Sequence, residues 1–265
     1  MSTFTFNQIF LITGGARGLG KGFASAIVQR GGKVIIVDIL KEVGEATEKE
    51  LNEAHPGQCL FYEGDVTDEP LMKNIWENSE KKLDGKISVL VNNAGVYNAV
   101  DWRKTMNINL ISVMQMSYIA LEKMNIRNGG SGGTIINVAS AAGLAYANFH
   151  ELIPYSVSKS AVVSFTKSLA CSNVLENYGV KVAALCPTIS DTQIIKECTI
   201  AEQMIKDLNI VPLTVEKVAN DFIRVLEDMY NENAKNGEIM FVCSKSKYVD
   251  VNKFNLHELI LPESE

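Results

Sequence analysis

The stretch Ile9-Phe10-Leu11-Ile12-Thr13-Gly14-Gly15-Ala16-Arg17-Gly18-Leu19-Gly20 joins four large apolar residues to a turn with glycines spaced G-x-x-x-G-x-G, and a segment of helical character, Leu19–Arg30, follows it. A short apolar run bounded by a glycine turn reads as a buried strand. Glycine permits a tight turn and lets backbone N–H groups approach an anion, and the positive end of the following helix favours one. Between a strand and a helix, the run reads as a cradle for a pyrophosphate rather than as a merely flexible turn.

Working outward, strand and helix patterns alternate along the chain. Apolar, β-branched runs occur at Ile9–Ile12, Lys33–Val37, Cys59–Tyr62, Ser88–Val91, Thr134–Val138, Val180–Leu185 and Ile239–Val242. Between them lie helical segments at Leu19–Arg30, Glu42–Ala54, Asp68–Leu83, Thr105–Met124, Tyr155–Glu176 and Val215–Tyr230. Alternation of this kind builds βαβ units with right-handed crossovers. The fold expected is α/β: a doubly wound (Rossmann) parallel sheet of seven strands with helices on both faces, in a single domain over residues 1–265. One connection fits no unit. Residues 188–212 predict an irregular segment at the carboxyl edge of the sheet, where a substrate lid belongs.

Composition narrows the function. With 46% apolar and 21% charged residues the chain can bury a large core, and 31 acidic against 25 basic side chains leave a net charge of -6. That balance gives no footprint for nucleic acid or anionic lipid. The five cysteines (Cys59, Cys171, Cys186, Cys198, Cys243) are scattered and odd in number, which reads as reduced thiols and a cytoplasmic setting. With only three histidines, a metal centre is not expected. No signal peptide is visible at the N-terminus, and the uncharged stretch 128–150 is too broken by glycine and asparagine to be a membrane span.

Asp38, at the end of the second strand, has the spacing of the acid that hydrogen-bonds the adenosine ribose of a dinucleotide. A carboxylate there repels a 2′-phosphate, which implies NAD rather than NADP. Arg17 points the other way, because a basic residue near that position can pair with a phosphate; the like-charge contact at Asp38 costs more than one exposed ion pair returns.

The ordered set Thr13-Gly14 through Gly20, Asp65-Val66, Asn92-Asn93-Ala94-Gly95, Asn109, Ser140 and Tyr155-Ser156-Val157-Ser158-Lys159 resembles the short-chain dehydrogenase/reductase family over essentially the whole chain. The resemblance implies a catalytic set of Asn109, Ser140, Tyr155 and Lys159. Tyr155 and Lys159 stand four apart at a helix start and share a face, so the ammonium is expected to favour the phenolate and make Tyr155 a general base or acid. The resemblance gives Ser140 the substrate oxygen, Asn109 a water relay to Lys159, and Lys159 the nicotinamide ribose. For the cofactor it implies Gly14, Arg17, Gly18, Leu19, Gly20, Asp38, Asp65, Val66, Asn92, Ala94, Gly95, Tyr155, Lys159, Pro187 and Thr192. The family's usual Pro-Gly reads Pro187-Thr188 here, and a side chain at that place is expected to disturb the lid or crowd the nicotinamide face.

The middle third is similar to the NAD-dependent, 15-hydroxyprostaglandin dehydrogenase-like members of that family. The stretch Glu151-Leu152-Ile153-Pro154 lacks a glutamine those members place nearby, so their substrate specificity is not carried over. Candidate pocket walls are Tyr97, Trp102, Leu144, Tyr146, Phe149 and Ile153, with Ile189, Ile194 and Ile195 on the lid; they suit an apolar alcohol or ketone, lipid-like or terpenoid. The alternative is a noncatalytic relative that binds a small apolar ligand or a protein, and the complete set of four residues favours the enzyme. Apolar residues around much of Thr105–Met124 and Tyr155–Glu176, helices the family pairs across a two-fold axis, imply a homodimer or homotetramer.

Overall fold

The first strand, β1 (Ile9–Thr13), is buried along its whole length. Its side chains alternate between faces: Phe10 and Ile12 join an apolar layer containing Phe23 and Phe222, while Leu11 enters the opposite layer with Met72, Trp76 and Met116. A strand of that kind belongs at the centre of a sheet covered on both sides. The computed structural model describes residues 6–145, 149–207 and 209–253.

The remaining strands are β2 (Lys33–Asp38), β3 (Cys59–Glu63), β4 (Ile87–Asn92), β5 (Gly133–Val138), β6 (Val180–Pro187), β7 (Glu238–Val242) and β8 (Lys247–Tyr248). They form one sheet in the order β3-β2-β1-β4-β5-β6-β7-β8. The first seven run parallel and β8 is antiparallel to β7. Among the described residues the sheet thus has eight strands, not seven. The added strand is two residues long and carries Lys247, so no apolar run marks it. Side chains hold it instead: Ser246 Oγ donates to Asp221 Oδ2 at 2.7 Å, and the Tyr248 hydroxyl donates to Asp228 Oδ2 at 2.9 Å.

Helices α1 (Gly18–Val28), α2 (Lys41–Ala54), α3 (Glu69–Leu83), α4 (Trp102–Met106), α5 (Ser112–Met124), α6 (Ile153–Ala170), α7 (Val174–Tyr178), α8 (Gln193–Lys196), α9 (Thr199–Asp207) and α10 (Val215–Tyr230) complete the chain's order. Caps set their ends where the sequence supplies them. Asp68 accepts from the Leu71 N–H ahead of α3, and Thr214 accepts from the Lys217 N–H ahead of α10. The rings of Phe23 in α1 and Phe222 in α10 stack with centroids 4.5 Å apart, fixing that pair on one face of the sheet. Residues of α3, α5 and α6 enter the layer on the other face.

Three expectations change. The helix expected over Tyr155–Glu176 ends at Ala170, and α7 begins at Val174. Ser172 turns its hydroxyl back on the Leu169 carbonyl at 2.6 Å, offering the backbone an alternative to the helix. The helix expected over Thr105–Met124 contains a π turn, Asn107–Ile111, between α4 and α5. The connection 188–212 is not irregular: it holds α8 and α9, and its ends are tied where Leu213 N–H donates to the Ile189 carbonyl at 2.8 Å and Asp191 N–H to the Leu213 carbonyl at 2.9 Å. Among the described residues no helix is long and apolar enough to cross a membrane.

Candidate active site

Strand order reverses between β1 and β4, and a crevice forms outside the carboxyl ends of the strands at such a point. The glycine turn follows β1, Asp38 ends β2, Asn93–Gly95 follows β4, Ser140 lies just past β5, and the 188–212 connection follows β6. One chain architecture therefore gathers residues more than a hundred positions apart.

The glycine turn is built from two glycine properties. Gly14 has φ +64°, a backbone that side chains rarely adopt, and a Cβ on Gly20 would stand 2.1 Å from the Gly14 carbonyl oxygen. Arg17, which precedes α1, is extended and offers no side-chain cap to the N–H groups of the first turn. Thr13 and Asn93 hold the turn against β4. Thr13 Oγ1 accepts from the Asn93 and Ala94 N–H groups, each at 3.1 Å, while Asn93 Nδ2 donates to the carbonyls of Thr13 at 3.0 Å and Gly14 at 2.8 Å.

Asn93 was not singled out by the sequence, whereas Asn92 was. Asn92 points the other way: its Nδ2 donates to Ser117 Oγ at 3.0 Å and Asn137 Oδ1 at 2.9 Å in the core. The alternation of side chains along a strand decides which of two neighbouring asparagines reaches the turn.

Asp38 is fixed by two backbone donors, Ala16 N–H to Oδ2 and Leu40 N–H to Oδ1, each at 3.1 Å. Arg17 is half exposed, 4.0 Å from Glu197. Leu19 packs on the β1 layer. The exposed Asp65 carboxylate accepts from Thr67 N–H and Oγ1, and Val66 beside it is buried. A cleft of about 530 Å³ runs between the glycine turn and the 188–212 connection, with Arg17, Gly18 and Lys21 on one side and Asp191, Thr192 and Gln193 on the other. Pro187 ends β6, and Thr188 donates its N–H to the Val242 carbonyl at 2.9 Å without a left-handed backbone, so the residue in the usual glycine place extends the sheet pairing.

At the start of α6, Tyr155 and Lys159 lie one turn apart, with Lys159 Nζ 5.8 Å from the Tyr155 ring centre. Lys159 is buried and donates to the Val138 carbonyl at 2.8 Å. Burial pushes its pKa down to about 8, with Cys186 opposing. Burial likewise pushes Tyr155 above the ordinary tyrosine value, and a hydrogen bond with Ser140 opposes that shift. The expected lowering of Tyr155 by Lys159 is therefore not the direction found, because burial of the phenol outweighs what favours its charged form. Asn109 lies in the π turn, a feature often found at functional sites. Its amide clips the neighbouring loop, accepting from Val96 N–H at 2.8 Å and donating to the Val96 carbonyl at 2.9 Å and Ser158 Oγ at 3.2 Å. A Cβ on Gly95 would stand 3.4 Å from Lys159 Nζ and 3.5 Å from Asn109 Oδ1. Glycine at that place keeps open the space in front of the lysine, which is where a ribose and nicotinamide would have to fit.

Of the candidate walls, Tyr97 meets Tyr155 edge-on, with ring centres 6.5 Å apart. Leu144 packs on the α6 layer, and Ile189, Ile194 and Ile195 are half-buried. Trp102 is half exposed beneath the Arg103 guanidinium, and Phe149 and Ile153 are exposed; Tyr146 lies outside the described residues.

With a glycine turn after β1, a carboxylate at the end of β2 and Tyr155 and Lys159 on one helix of a doubly wound sheet, the chain belongs to the short chain dehydrogenase family of oxidoreductases, whose model matches residues 8–203. It is 37% identical over 251 residues to 15-hydroxyprostaglandin dehydrogenase [NAD(+)] of Bos taurus, covering 89% of this chain and 91% of that one. It is 27% identical over 236 residues to the NADP-dependent (R)-specific alcohol dehydrogenase of Lentilactobacillus kefiri, covering 86% and 91%. The fold matches NADPH-dependent 3-quinuclidinone reductase from Rhodotorula rubra with a TM-score of 0.78 at 21% identity, over 91% of this chain and 94% of that one.

Proposed function

We propose that this protein is an NAD-dependent alcohol dehydrogenase that interconverts a secondary alcohol and a ketone on an apolar, lipid-like or terpenoid substrate. The observation that carries this reading is the placement of Lys159 and Asn109 at the open space before Gly95, with the Tyr155 ring 5.8 Å from Lys159 Nζ. NAD, when bound, supplies the acceptor for the hydride that leaves the carbinol carbon. The glycine turn and the first turn of α1 would hold its pyrophosphate, Asp38 its adenosine ribose, and Lys159 its nicotinamide ribose. Ser140 hydrogen-bonds the substrate oxygen, and Tyr155 takes the carbinol proton in oxidation and returns it in reduction. Asn109 keeps the 95–97 loop and the π turn in register with Lys159. The α8–α9 connection acts as a lid, excluding water from this group.

Asp38 supports NAD over NADP, since two backbone donors fix its carboxylate where a 2′-phosphate would bring like charge. The working form is a homodimer or homotetramer. The test is oxidation of apolar secondary alcohols with NAD and with NADP, read by the absorbance of the reduced cofactor. The expected result is turnover with higher kcat/KM for NAD, and a preference relaxed by about tenfold or more in Asp38→Ser. Equal efficiency with NADP in the wild type would contradict the NAD assignment.

A further inference from the structure

Ser140 stands on a tight turn just past β5. Its carbonyl accepts from Gly143 N–H at 2.9 Å, and its Oγ accepts from Ala142 N–H at 3.2 Å. A hydroxyl that accepts in this way keeps its proton to donate, so the turn presents Ser140 as a donor. These bonds orient the hydroxyl within the turn. They do not place it relative to Tyr155 and Lys159, which lie on α6.

Two consecutive residues of α6 do so. Lys159 Nζ donates to the Val138 carbonyl at 2.8 Å, where the chain enters the turn, and Ser160 Oγ donates to the Gly143 carbonyl at 2.8 Å, where it leaves. Gly143 lies directly on the helix backbone: a Cβ there would stand 2.6 Å from the Lys159 carbonyl carbon and 2.9 Å from the Ser160 nitrogen. Ser158 and Thr166 in the same helix turn back on it, donating to the carbonyls of Tyr155 at 2.7 Å and Val162 at 2.8 Å. Serine is a poorer helix former than alanine, and Ser160 directs its hydroxyl out of the helix to the turn.

We infer that Ser160 is a positioning residue for the reaction: by holding the Gly143 carbonyl it fixes the Ser140 turn on the helix that carries Tyr155 and Lys159, so that one substrate oxygen meets both hydroxyls. The inference rests on the dehydrogenase reading for what Ser140 does, whereas the clip itself belongs to the fold. Ser160 acts only through the turn.

The test compares wild type, Ser160→Ala, Ser160→Thr and Ser172→Ala in two measurements. One is oxidation of 2-octanol with NAD; the other is calorimetric binding of 2-octanone with NAD present, a complex that cannot turn over because neither partner has a hydride to give. Alanine is the better helix residue, so Ser160→Ala leaves α6 itself intact. In Ser160→Ala, kcat should fall about tenfold and 2-octanone should bind roughly fivefold more weakly, with KM for NAD within about twofold of wild type. Ser160→Thr keeps the hydroxyl and should recover most of both losses. Ser172→Ala removes a hydroxyl beyond the far end of the same helix and should change neither. If kcat and 2-octanone affinity in Ser160→Ala stayed within about twofold of wild type, or Ser160→Thr recovered nothing, the inference would be overturned. Weaker 2-octanone binding in Ser160→Ala beside a wild type that oxidises no alcohol would support the positioning role and count against the dehydrogenase reading.

Discussion

Lys159 sits in the protein interior with its amine 2.8 Å from the Val138 carbonyl, and burial lowers its pKa from 10.5 to about 8. The folded value lies below the unfolded one, so the unfolded chain binds more protons between those pH values. Below about pH 8 both states carry the charge and the folded state bears the full desolvation cost; as pH rises from about 8 to 10.5 that cost fades. The shift corresponds to ~3 kcal/mol as an order of magnitude. Lys159→Met should therefore abolish turnover yet stabilise the protein at pH 7, with a higher Tm that converges on the wild type near pH 10.5. A Tm at pH 7 below that of the wild type would contradict this account. The pairing of Tyr155 with Lys159 was legible in the sequence because a spacing of four puts both on one helix face. The choice between Asn92 and Asn93 was not, since either could start the turn after β4 and only strand alternation assigns them.

The joint between the glycine turn and β4 depends on one hydroxyl. Thr13 is buried, and its Oγ1 is the acceptor for two N–H groups, those of Asn93 and Ala94. Thr13→Val keeps the shape and leaves both donors without it. Each stranded donor costs about 1–3 kcal/mol, so urea unfolding should show a loss of about 2–6 kcal/mol at unchanged slope, together with weaker NAD binding. A loss below about 1 kcal/mol would show that the joint is held by other contacts. Elements of this kind were legible where hydrophobic periodicity is strong, as in all seven parallel strands and in α10. The π turn at Asn107–Ile111 was hidden because it inserts one residue into a helix without breaking the apolar pattern. The helices α8 and α9 were hidden because they are short and tied at their ends rather than buried along a face.

At the scale of the molecule, the outer surfaces around α5 and α6 remain apolar: Ile111, Tyr118 and Val157 are each at least half exposed, at 51%, 56% and 50%. Charged residues would be cheaper on a surface that stays in water. Sedimentation at micromolar concentration should give a dimer or tetramer, and Tyr118→Glu should shift it toward monomer. A wild-type monomer under those conditions would contradict the oligomeric proposal. The doubly wound order was readable from the alternation of strands and helices, whereas the pinning of β8 by Asp221 and Asp228 depends on side chains from a distant helix.

The central claim is that Tyr155 moves the proton while NAD takes the hydride, and Tyr155→Phe tests it most directly because it removes one oxygen and keeps the ring. The measurement is secondary-alcohol oxidation with NAD across pH, beside NAD affinity for both proteins. In the wild type the rate should rise with pH as the phenol loses its proton; in Tyr155→Phe, kcat should fall by several powers of ten with NAD affinity nearly intact. Wild-type turnover retained by Tyr155→Phe would contradict the account.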